Sequence, residues 1–179
     1  HQYEPYISSL AGYFAFQNHD FLSPVSTPQA ESMWNKTYTV IADINSSLAY
    51  IDQNKSVLNP ISYSIIKGEL LGLRAYLHFD LMRIYGYGNL AARTDLAGKL
   101  AIPYVSVLGK DVTPQLSYAA TFSLLLDDIN AANLLLKEDP IFNNPKKPAN
   151  YYTEINRDGF FNIRFRSLSR LIRKDHLFA

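Results

Sequence analysis

The chain has no cysteine, one tryptophan, two methionines and little charge, with Asp, Glu, Lys and Arg making 18% of its 179 residues. Without cysteine there is no disulfide, no thiolate metal site and no cysteine nucleophile, and the redox compartment stays open. No run of about 18 apolar residues occurs, so the sequence predicts no membrane-spanning segment. No GxSxG, Walker loop or GxGxxG before a helix is present. His1, His19, His78 and His176 are isolated, and none forms the i, i+4 pair of a zinc-binding helix. No nucleophile, base and orienting group come together, so the sequence predicts no enzyme, no metal site and no cofactor.

What is present is apolar and aromatic. Hydrophobic residues make 47% of the chain, with 13 Tyr and 10 Phe. This composition fits a folded domain with a polar but weakly charged surface, and it argues against disorder and against nucleic acid as a partner. The length fits a single domain with a sizeable core, over residues 1–179. Net charge is +1, yet residues 160–179 hold five bases and one acid, or +4, so the rest of the chain sums to −3. A small basic tail of this kind reads as a solvated helix face. The chain opens at His1 without a signal-peptide pattern, which predicts a processed or trimmed piece.

The organising stretch is residues 59–88, NPISYSIIKGELLGLRAYLHFDLMRIYGYG. Asn59 is a helix cap, Pro60 fits the first helical position, and Gly86 and Gly88 mark the end. Ile66, Leu70, Leu73, Leu77, Leu81 and Ile84 form one apolar stripe. Gly68, Gly72, Ala75 and Phe79 form a second on an adjacent face, where small residues admit a close neighbour. Two buried faces predict a central helix, roughly 40 Å long.

Around it the spacing predicts a helix over about 5–16, a surface loop over 18–33, and a helix from about Gln29 to Asp52 entered through Thr27-Pro28. Trp34 is expected as a core anchor near that helix's start, with a ligand-stacking platform as the alternative. The short turn Asn54–Ser56 makes this helix and the central one antiparallel. Residues 87–116 read as an ordered excursion with an extended segment over 102–107. Ser117 caps a helix over about 117–137, a second polar loop follows, and a last helix runs over about 159–174. The fold class is all-α, about five helices in antiparallel hairpins with long ordered loops and little sheet.

The strong polar groups of the central helix are Glu69, Arg74, Asp80 and Arg83. Asp80 and Arg83 are spaced to pair on the surface, and a buried Arg74 must be paired or bonded to carbonyls. The four are expected to form a structural ion-pair network, and His78 to be a structural hydrogen-bonder. Adjacent Asp127 and Asp128 point to different sides of their helix and are expected as solvated surface. By local chemistry, Asn18, His19, Asp20 and Phe21 in the first loop are the candidate ligand-binding residues, an aromatic face with polar side chains beside it.

Gly68, Glu69, Arg74, Ala75, Tyr76, Phe79, Asp80, Leu81, Arg83, Tyr85 and Gly86 together match the helix G-E-(x)4-R-A-Y-x-x-F-D-L-x-R-x-Y-G. By this run the chain resembles the SusD/RagB family of nutrient-binding outer-membrane lipoproteins of Bacteroidetes. Trp34, Tyr38, Ile41 and Ile44-Asn45 are similar to the family's preceding helix, Ile102–Val105 to its short I-P segment, and Leu126–Leu136 to the helix that follows. The resemblance spans roughly residues 30–140. It implies TPR-like helix pairs, no enzymatic activity, and a surface-exposed, lipid-anchored protein of the outer membrane. It also implies a glycan or peptide ligand and partnership with a SusC-like TonB-dependent transporter. Members of that family are usually several-fold longer and carry an anchoring cysteine, and their last helix differs from FRSLSRLIRKDHLFA. The chain is therefore expected to be an incomplete N-terminal region. A TPR-like scaffold that binds only protein is the alternative reading.

Overall fold

The computed structural model describes residues 10–87 and 93–137. The expected last helix over 159–174, the polar run before it, the start of the first helix and Gly88 lie outside the described residues. Among the described residues there are four α-helices, α1 (Ala11–Gln17), α2 (Thr27–Gln53), α3 (Pro60–Tyr85) and α4 (Tyr118–Leu136). Between α3 and α4 lie a short 3-10 turn, Thr94–Leu96, and two strands, β1 (Leu100–Pro103) and β2 (Gln115–Ser117). The protein is all-α with a minor antiparallel ribbon, in which Leu100 pairs with Ser117 and Pro103 with Gln115 across an irregularity.

Packing divides the described residues into two compact units, one ending at Val40 and one beginning at Ile41, so that α2 has residues in each. In the first unit, Gly12 and Ala15 are the buried positions of α1. A Cβ at Gly12 would overlap the side-chain amide of Gln29 on α2. Ser26 is fully buried before α2, where its hydroxyl donates to the Asp20 carbonyl at 2.7 Å.

The second unit is built on α3. Asn59 caps it by accepting from the backbone of Ile61 at 2.9 Å, and Pro60 opens its first turn. Ile44, Leu48 and Ile51 of α2, Tyr63 and Leu71 of α3 and Ala132 of α4 form a buried cluster, with Leu70, Leu73 and Leu77 packed at its edge. At the hairpin end, Asp52 accepts from the Tyr63 hydroxyl at 2.6 Å and from Lys67 at 2.7 Å. α3 and α4 pack along their length, and β1 packs on both.

The two stripes of α3 do not carry equal weight. Ile66 is 38% and Ile84 52% exposed, so the aliphatic stripe is buried only in part. The small-residue stripe, Gly68, Gly72, Ala75 and Phe79, is buried throughout. Size explains this. A Cβ at Gly68 would press on the Leu136 side chain and the Ala132 carbonyl, so its absence lets α4 approach. α4 is capped by Ser117, which accepts from the Ala120 backbone at 3.2 Å. It is also the one described helix long and apolar enough to cross a membrane by length and composition. In the structure its inward face, including Phe122, Leu125 and Ile129, is core.

Gly86 does end α3, but through close approach rather than a left-handed turn, since its backbone is extended (φ −97°, ψ −168°). A Cβ there would overlap the Tyr118 hydroxyl and the Met82 carbonyl. That hydroxyl accepts from the Tyr87 backbone at 2.6 Å. Gly86→Ala is therefore expected to cost about 1–3 kcal/mol in urea unfolding. Gly98→Ala, where a Cβ meets nothing within 4 Å, is expected to stay within about 0.5 kcal/mol.

Candidate functional site

Two groups of polar residues stand out, one inside the second unit and one on the surface of the first. The inner group is centred on Arg74. α3 carries its side chain inward, where Nε and one terminal nitrogen each meet a different oxygen of Asp128 on α4, both at 2.7 Å. The other terminal nitrogen donates to the Asn45 side-chain oxygen on α2 at 2.8 Å and to the Ser106 carbonyl at 3.0 Å. Asp128 also accepts from the Tyr104 hydroxyl at 2.6 Å. Asn45 turns its amide nitrogen to the Val105 carbonyl at 2.9 Å. Both carboxylate oxygens are thus occupied by donors, so Asp128 is a bonded counter-ion rather than a base. Its neighbour Asp127 is exposed.

His78, one turn after Arg74, completes the group. Its ring is fully buried and stacks on Tyr104 with centroids 4.0 Å apart. The Val105 N–H donates to Nε2 at 3.0 Å, so Nε2 carries a lone pair and the proton is on Nδ1, which donates to the Arg74 carbonyl at 2.9 Å. Burial, chiefly, pushes the His78 pKa down to about 4, with the Arg74 charge acting in the same direction. Burial also pushes the Tyr104 hydroxyl well above its ordinary value, and the Asp128 charge adds to this. For Arg74, burial opposes the charge, but the hydrogen bonds and attraction of Asp128 outweigh it and raise the pKa.

This arrangement corrects one expectation. Asp128 is buried, not solvated surface, because it lies on the face of α4 shared by Thr121, Leu125 and Ala132. The spacing of those residues was the available signal for it. Arg74 finds its partner across the core rather than along its own helix. Asp80 and Arg83 pair separately at 3.5 Å, with Arg83 57% exposed, and Glu69 is half-buried. Trp34, in the first unit, is half-buried with its ring 4.9 Å from that of Tyr38.

The surface group is the turn after α1. Asn18, His19, Asp20 and Phe21 are all exposed. His19 has a positive φ of 58°, its N–H bonds to the Phe16 carbonyl at 3.1 Å, and the Asp20 N–H bonds to the Ala15 carbonyl at 2.8 Å. That is a Schellman ending with histidine in the left-handed position. The Ser26 hydroxyl holds the Asp20 carbonyl from the other side. With the backbone satisfied in this way, the side chains face outward. The Phe21 ring lies 5.7 Å from Phe16 and 5.9 Å from His19, centroid to centroid, and is 52% exposed. The turn can offer one aromatic face beside an amide, an imidazole and a carboxylate. No group of three or more metal-ligating side chains gathers among the described residues.

The inner group gives a stability prediction. Asp128→Asn and Arg74→Met are each expected to lower unfolding free energy by about 3–5 kcal/mol in urea, since each strands a buried partner. The double variant Arg74→Met/Asp128→Leu is expected to recover much of that loss. Asp80→Ala, on the exposed pair, is expected to change stability by less than about 1 kcal/mol.

No curated protein and no solved structure is significantly similar to the chain. A model of the SusD-like_3 family, described as starch-binding and associating with the outer membrane, matches residues 9–154 and so takes in both groups. The chain therefore belongs to the SusD-like family of starch-binding, outer-membrane-associated proteins.

Proposed function

We propose that the chain is part of a cell-surface nutrient-binding component that holds glycan and hands it to a SusC-like TonB-dependent transporter. The family match supports glycan as the ligand class. The observation that carries the reading to a place on the molecule is the Phe21 ring, half-exposed on a turn whose backbone is locked by its own hydrogen bonds. A pyranose presents an apolar face of C–H groups that packs on such a ring, and its hydroxyls bond to amide and carboxylate groups beside it. Phe21 is the stacking platform and Asn18, His19 and Asp20 are the polar contacts. Peptide is the second ligand class, held by the same mixed surface. The full-length parent is lipid-anchored on the outer face of the outer membrane, where the transporter is its partner.

A protein-only scaffold is favoured by a different observation. Val107, Leu108 and Val112 are 77%, 62% and 93% exposed on the excursion between β1 and β2, apolar side chains of the kind that dock on protein. Co-purification separates the readings, since a large β-barrel partner supports the transporter component and a soluble partner supports the scaffold.

Isothermal titration of the full-length parent with neutral and acidic oligosaccharides and peptides tests the ligand. Binding of an oligosaccharide is expected, and Phe21→Ala is expected to weaken it about tenfold, or about 1.4 kcal/mol. Tyr50→Ala, which removes an exposed ring near the end of α2, is expected to leave it unchanged. Silence across the whole panel would sink the nutrient-binding reading. Binding that ignores Phe21→Ala would sink only this placement of the site.

A further inference from the structure

His78 stands where a single proton would alter the structure. Its Nδ1–H is committed to the Arg74 carbonyl, and its Nε2 lone pair is the acceptor for the Val105 N–H. A second proton can be added only at Nε2. It would face the Val105 N–H donor to donor, and that backbone bond would break.

The segment that bond holds is fastened by the same cluster, with the Tyr104 side chain buried. Tyr104, Val105 and Ser106 leave β1 and are fastened by the Tyr104 hydroxyl on Asp128, the Val105 carbonyl on Asn45 and the Ser106 carbonyl on Arg74. Beyond Ser106 the chain carries Val107, Leu108, Lys110, Asp111 and Val112 in exposed positions before it returns at Gln115. The helices beneath are also joined to one another directly. Arg74 grips Asp128 directly from α3 to α4. Gly68 seats Leu136, and Leu71 and Ala132 pack in the buried cluster one turn along each helix.

We propose that His78 is an acid-sensitive latch, in which protonation at Nε2 detaches Tyr104–Ser106 and frees the excursion as far as Pro114 while α3 and α4 stay packed. The groups facing the ring on each packed element set the direction. Arg74 on its own helix repels an imidazolium, Asp128 on α4 attracts one, and Tyr104 covers the ring face. Burial opposes the charge most. The detached segment exposes His78 to water, where its ordinary pKa is 6.5, whereas the closed form holds it near 4. The open form therefore takes up the proton first, and acid favours opening. Opening does not respond to pH above about 6.5, becomes about tenfold more favourable per pH unit below that, and levels off below about pH 4.

Hydrogen exchange read by mass spectrometry on peptides covering 104–112 and α4, corrected for intrinsic rates, tests this. Protection of 104–112 is expected to fall about tenfold per pH unit between pH 6.5 and 4, with α4 still protected. Constant protection of 104–112, or loss in step with α4, overturns the latch. In His78→Gln the pH dependence is expected to vanish, and its persistence also overturns it. Should that variant not fold, nitrogen NMR of His78 in the unaltered chain decides. Nε2 protonation in step with loss of 104–112 protection supports the latch, and protonation with the segment still protected overturns it.

Discussion

The ion pair between Arg74 and Asp128 is the contact on which the second unit depends. A guanidinium inside a core is tolerated only when its donors are met, because water is no longer there to meet them. Here the planar fork of Arg74 takes both oxygens of Asp128 and still has donors for Asn45 and the Ser106 carbonyl. The consequence is geometric. α2, α3, α4 and the segment after β1 are brought to one point by directional bonds, whereas the aliphatic contacts around them are tolerant of small shifts. A network of this kind is satisfied as a whole or is costly in part, which is why it specifies one arrangement of the helices.

Close packing follows from the same helix. Gly68 and Ala75 remove side-chain bulk from the face of α3 that meets α4. With the helices near each other, a side chain as short as aspartate reaches the arginine with bond lengths of 2.7 Å. The excursion between the helices is then drawn in by backbone groups. Val105 alone gives its N–H to His78 and its carbonyl to Asn45. Two short strands and a loop are thereby held on a helical frame without a large sheet of their own.

The family match spans both polar groups, yet they are built differently. The inner group is buried and internally satisfied, so it has little left to offer a ligand. The turn after α1 is the opposite. Its backbone is satisfied locally by the Schellman bonds and by Ser26, and its side chains are outside. Recognition of the family through Arg74 thus points at the frame, while the proposed ligand surface is a short turn with an aromatic residue.

The sequence by itself determined α2, α3 and α4. Periodicity, the Asn59 and Ser117 caps and the Asn54–Ser56 turn are local signals, and local hydrogen bonding decides them. It also placed His78 as a hydrogen-bonder and required a partner for a buried Arg74. Only the tertiary structure decided which partner. Asp128 is 54 residues away, and sequence spacing carries no information on a contact made across a core. The same holds for α3 as a whole. Both stripes were visible, but the smaller side chains became the more deeply buried face, because how closely α4 could approach depended on what was absent from Gly68 rather than on apolar side chains present elsewhere.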